Sequence, residues 1–118
     1  MLRAVRGATS VREDTSEAIR ERTAELLGEV LSRNALAVDD LVSIIFTATE
    51  DLTADFPAVA AREIGLSGVP LLCTREIPVA GALGMCIRVM VHCYAPPERT
   101  IRHVYLHDAR QLRTDLPE

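Results

Sequence analysis

In the run Cys86-Ile87-Arg88-Val89-Met90 a guanidinium stands in mid-strand between apolar neighbours, where a charge must be paired or must bind something. Three more polar residues fall on or beside similar stretches: Arg6 near the start, Tyr105 near the end, and Glu76 just past the apolar run that begins at Val69. Two chemistries are open to this set. Glu76 can neutralise Arg88 as a structural pair, or Arg6, Arg88 and Tyr105 can assemble an anion site, since guanidiniums hold carboxylates and phosphates bidentately. All 13 basic residues are arginine and none is lysine, which reflects either a G+C-rich genome or selection for this kind of recognition.

Other chemistries find little material. His103 and His107 share a strand face but stand about 13 Å apart at ~3.3 Å per residue, and the adjacent His92 and Cys93 point to opposite faces, so no metal site is expected. Gly81-Ala82-Leu83-Gly84 has no following Lys-Ser/Thr and reads as a turn rather than a phosphate loop. Cys73, Cys86 and Cys93 are odd in number and sit in apolar stretches, as reduced, buried thiols do, and no local signature makes Cys73 a nucleophile.

These residues must be positioned by a small set of elements. Residues 2–11 alternate as a strand with Leu2, Ala4, Arg6 and Ala8 on one face, and Gly7 marks a bulge or a close approach. From Asp14 to Asn34, Ile19, Thr23, Leu26, Leu27, Val30 and Leu31 recur at helical spacing, with an Asp14–Glu17 capping box at the start. Leu41 to Thr47 is a nearly continuous β-branched and aromatic run, as in a strand covered on both faces. A loop with Glu50, Asp51 and Asp55 follows, then a short helical piece, Ala58 to Ile64, and strands at 69–73, 85–94 and 101–108.

Five strands and one long helix make an α+β domain, and one helix covers only one face of the sheet. The other face alternates Ala4, Met90, Ile101 and Tyr105 with Arg6, Arg88 and His92, too apolar to be left wet, so packing in a symmetric oligomer is expected. The 118 residues leave room for a single domain, 1–118, with a modest core. A net charge of -4, two Tyr, two Phe and no Trp argue against nucleic-acid binding. Arg3 and Arg6 interrupt what a signal peptide would need, and no run reaches the ~20 apolar residues of a membrane span, so a cytoplasmic protein without membrane contact is expected.

At these residues the chain resembles the monofunctional, trimeric α/β-barrel family of chorismate mutases, nearly end to end. The resemblance is carried by Arg3-Ala-Val-Arg6-Gly-Ala-Thr9, Thr47-Ala-Thr49-Glu-Asp-Leu52, Asp55-Phe-Pro-Ala58, Cys73-Thr-Arg-Glu76, Cys86-Ile-Arg88-Val-Met90, Ile101-Arg-His-Val-Tyr105-Leu106 and Leu112-Arg113-Thr-Asp-Leu116, in that order. It implies a five-stranded mixed sheet with one long helix on one face, and a homotrimer packed into a pseudo α/β-barrel with active sites between subunits. The family rearranges chorismate to prephenate, a pericyclic step toward phenylalanine and tyrosine that needs no cofactor, metal, covalent intermediate or general acid or base.

By the same resemblance Arg88 faces the ether oxygen of the breaking bond, Arg6 and Tyr105 bind the side-chain carboxylate, and Glu76 with the Cys73 region orients the ring hydroxyl. Phe56, Ala58, Leu72 and Cys73 are expected in a wall lent by the adjacent subunit, Arg62 near the ring carboxylate, and the tail around Leu112 and Arg113 over the mouth. Two positions depart from the family's pattern: Val59 stands where a basic residue can occur, and Leu72 where a small polar one can, which makes the rim less positive. Trimeric enamine or imine deaminases share the architecture, and a non-catalytic module could use the same arginines to sense an aromatic acid. The joint placement of Arg6, Arg88 and Glu76 fits the mutase and has no evident purpose in enamine hydrolysis.

Overall fold

The computed structural model describes residues 1–113; the Thr114–Leu116 part of the tail motif lies outside them. Five strands, β1 (Leu2–Ser10), β2 (Leu41–Ala48), β3 (Leu71–Arg75), β4 (Cys86–Tyr94) and β5 (Val104–Leu106), form one mixed sheet in the order β3-β2-β4-β1-β5. The long central pairs β1/β4 and β2/β4 are antiparallel, while the edge pairs β1/β5 and β2/β3 are parallel.

Helix α1 (Ser16–Arg33) and the short α2 (Ala58–Glu63) lie on one face of this sheet. The α1 stripe Leu26, Leu27 and Val30 packs with Val5, Phe46, Val89, Val91 and Val104, forming the main core. Gly7 is a close approach and not a bulge: a Cβ there would stand 3.0 Å from Val89 Cγ2 and 3.1 Å from Leu26 Cδ1. Asn34, at the C-cap of α1 and 1% exposed, uses its side chain to bind Val30 O, Arg102 O and Arg102 N, which fixes the approach to β5.

Several expectations need correction. Helix α1 starts one residue later than the capping box implied: Thr15 is the N-cap and its hydroxyl accepts from the Ala18 N–H at 3.1 Å. Asp14 is instead engaged by Thr53 and Ala54, whose N–H groups it accepts at 2.9 and 3.0 Å, along with the Thr53 hydroxyl. The third strand slides to 71–75 because Pro70 has no N–H to give the ladder; its carbonyl receives Ile44 N–H and Val69 turns into the core.

The last strand shrinks to three residues, and Ile101 packs against the helix-side core rather than on the opposite face. After it comes a 3₁₀ helix, His107–Leu112. Strand β2 is buried on one face only, with Ser43, Ile45 and Thr47 half-exposed on the other.

The uncovered face is therefore continuous in the chain. Strand register lines up Leu72, Ile45, Met90 and Arg6 in one row, and Thr74, Thr47, Arg88, Ala8 and Tyr105 in the next. The 3₁₀ helix covers one end of it by packing Ala109 on Ala8 and Cys86.

Candidate active site

Register alone brings the polar residues together. Arg88 sits in β4 directly between Thr47 of β2 and Ala8 of β1, and Tyr105 of β5 lies just beyond Ala8. Ala8 itself is fully buried under Ala109 of the 3₁₀ helix, and the opening lies beside it. A cleft of about 310 Å³ opens there, with Arg6, Glu76, Arg88, Tyr105, Leu112 and Arg113 around it and Gly7, Ile45, Val89 and Met90 in its apolar part.

Glu76 follows β3 and is held from two sides: its N–H donates to Ala48 O at 3.0 Å, and the Thr47 hydroxyl donates to its Oε2. That leaves Oε1 beside Arg88 Nε at 3.2 Å. The N–H is not aimed at the carboxylate, so Arg88 Nε is buried without a hydrogen-bond acceptor among the described residues. The two readings of the arginine thus coexist, since its charge is paired while its donor set is left incomplete.

Arg6 is anchored through its backbone, whose N–H donates to His103 Nδ1 at 3.0 Å. Burial, reinforced by the charges of Arg6 and Arg113, holds His103 below its ordinary pKa of 6.5 and so keeps it neutral, able to accept. Burial pushes the Cys86 thiol up to about 11 and raises Cys93 too, which keeps both protonated and unreactive.

The remaining candidates lie elsewhere. Phe56, 68% exposed, and Cys73, half-buried against the core, line a separate hollow of about 390 Å³ with Asp55, Thr74 and Arg75. Leu72 is 60% exposed on the open sheet face and borders neither this hollow nor the cleft. Ala58 is 6% exposed and packs into the core at the start of α2. Arg62 is exposed on α2; the Ser16 hydroxyl and the Phe56 N–H lower the Asp55 carboxyl, and the charges of Arg20 and then Arg62 add to them.

Sequence reading missed Thr47 and His103, which orient Glu76 and Arg6. Thr47 was legible as the polar member of an alternating Ile45-Phe46-Thr47 triplet, whereas the His103 contact depends on long-range pairing that no local pattern carries. Among the described residues no group of three His, Cys, Asp or Glu comes together as metal ligands would.

Three arginines, a tyrosine and a carboxylate surround an apolar-floored cleft on a half-covered α+β sheet, an arrangement with the shape and charge to accept a small anionic molecule. Residues 2–116 match the family model for chorismate mutase type I. The chain is 50% identical to chorismate mutase AroH of Thermus thermophilus, over 98% of this chain and 97% of that one, and 44% identical to chorismate mutase AroH of Bacillus subtilis (strain 168), over 98% and 93%. Among solved structures, chorismate mutase from Clostridium thermocellum superposes with a TM-score of 0.89 at 46% identity, covering 92% of this chain and 98% of that one. The chain belongs to the chorismate mutase type I family.

Proposed function

We propose that this chorismate mutase rearranges chorismate to prephenate in clefts between the subunits of a homotrimer, acting in the cytoplasm in the synthesis of aromatic amino acids. The observation that carries the proposal is the convergence of Arg6, Arg88, Glu76 and Tyr105 on one cleft of about 310 Å³.

Chorismate is a flexible dianion, and it must take a compact chair-like pose with its enolpyruvyl arm over the ring before bonds can exchange. Holding that pose removes an entropic part of the barrier. In this reading Arg6 and Tyr105 hold the side-chain carboxylate and Glu76 accepts from the ring hydroxyl. As the carbon–oxygen bond breaks, negative charge grows on the ether oxygen, and Arg88, fixed in mid-strand, stabilises that charge more in the transition state than in the ground state.

No residue of the cleft has to accept or give a proton, and the chemistry calls on no metal or cofactor. In the trimer the hollow of Phe56 and Cys73 supplies the wall of a neighbour's cleft, Leu72 and Arg62 approach that cleft from outside the hollow, and Leu112 and Arg113 lie over the mouth. The trimer is supported by the uncovered row Leu72, Ile45, Met90 and Arg6, which a monomer leaves in water. No helix among the described residues is long and apolar enough to cross a membrane.

Loss of chorismate absorbance on adding the protein without metal or cofactor tests the activity, and sedimentation equilibrium tests the assembly. A stable, fully active monomer contradicts the intersubunit site.

A further inference from the structure

We propose that a hydrogen-bonded pair outside the cleft, His107 with Glu25, is a positioning device for its mouth. It turns the chain out of β5 so that Leu112 and Arg113, and not the His107 imidazole, stand beside Tyr105. The inference rests on the reading of that cleft as the chorismate site.

Strand alternation is the starting point. Val104 and Leu106 are buried against the helices while Tyr105 faces the cleft, so one more extended residue would place His107 on the cleft side with Tyr105. The chain does something else. His107 takes φ 54°, a left-handed conformation that L-residues avoid, and its Nε2 comes to 2.7 Å from Oε1 of Glu25 on α1, across the sheet from the cleft.

The 3₁₀ helix that starts there is then pinned by two further contacts. The Asp108 N–H donates to Ser10 Oγ at 3.1 Å, and Ala109, fully buried, packs on Ala8 and Cys86. Leu112 reaches the same cluster, and with Arg113 it enters the cleft lining.

The His107 and Glu25 side chains remain 39% and 47% exposed, so the pair adds little to global stability. What it selects is direction. A residue with no access to the substrate thereby decides which groups do have access, which makes His107 and Glu25 positioning residues rather than catalytic ones.

Steady-state kinetics with chorismate, amide hydrogen exchange over residues 107–113, and thermal midpoints of Glu25→Ala and Glu25→Gln test this together. Glu25→Ala is expected to raise KM about threefold to fivefold with kcat within about twofold, to speed exchange over 107–113, and to leave the thermal midpoint unchanged. Glu25→Gln, which keeps an acceptor for the imidazole N–H, is expected to restore both KM and exchange.

Wild-type KM and exchange in Glu25→Ala overturn the proposal, and so does a joint fall of kcat and thermal midpoint in both variants. If the wild-type protein does not turn over chorismate, the functional reading fails by itself. Exchange then still decides the positioning role: faster in Glu25→Ala and restored in Glu25→Gln supports it, and unchanged overturns it.

Discussion

Arg88 Nε lies 3.2 Å from Glu76 Oε1, yet its N–H is not directed at that oxygen and stays without an acceptor among the described residues. The carboxylate is fixed by Thr47 and by the turn after β3, not by the arginine. A buried donor left unmet costs about 1–3 kcal/mol, a cost that the charge of Glu76 beside it offsets. The pair thus balances charge beside the cleft while one arginine N–H goes unmet.

Glu76→Gln removes the charge and keeps the shape. Its kcat/KM for chorismate is expected to fall about 10-fold to 100-fold, the scale of a hydrogen bond to a charged group, while the thermal midpoint shifts by only a few degrees because the pair is partly exposed. Steady-state kinetics beside a melting curve checks both, and an unchanged kcat/KM would remove Glu76 from the mechanism.

The pH dependence of stability has a window set by His103. Its folded-state pKa lies below the ordinary 6.5, chiefly through burial and then through Arg6 and Arg113. Between the lowered value and 6.5 the unfolded chain takes up a proton that the folded chain resists, so stability falls as pH drops through that window and is fully present above it. Protonation also removes the lone pair that receives the Arg6 N–H. Urea midpoints measured from about pH 5 to pH 8 should decline at the acid end for wild type and less for His103→Asn, which keeps an acceptor without titrating. Parallel profiles for the two proteins would assign the acid limb to other groups.

Thr15 and Asp14 divide roles that the sequence assigned to one residue. Thr15→Ala should cost about 1 kcal/mol of global stability through loss of the helix cap. Asp14→Ala should leave α1 in place and speed amide exchange at Thr53 and Ala54, which lead into the segment bearing Phe56. Equal global losses without local exchange at 53 and 54 would mean that Asp14 caps the helix after all.

How much of this was legible beforehand follows from what each element depends on. The α1 stripe and β4 were readable because their periods, 3.6 and 2, are written in consecutive residues such as Leu26, Leu27 and Val30 or Ile87, Val89 and Val91. The diversion of Asp14 from the cap and the turn at His107 were not, since each is decided by a partner far along the chain, Thr53 and Glu25 respectively; Pro70, by contrast, was a local signal that β3 starts after it. The cleft itself was half legible. Alternation put Arg6, Arg88 and Tyr105 on one face, but only the pairing of β4 with both β1 and β2 sets Arg88 between Ala8 and Thr47.

In the proposed mechanism a fixed guanidinium at Arg88 stabilises charge on the breaking ether bond. Single-turnover conversion of chorismate by Arg88→Ala, in protein whose oligomeric state and melting curve match wild type, tests it most directly. The rate constant is expected to fall about 100-fold to 1,000-fold or more, the usual consequence of removing one preorganised donor. A rate constant within about tenfold of wild type would contradict it and would shift the mechanism onto confinement of the substrate alone.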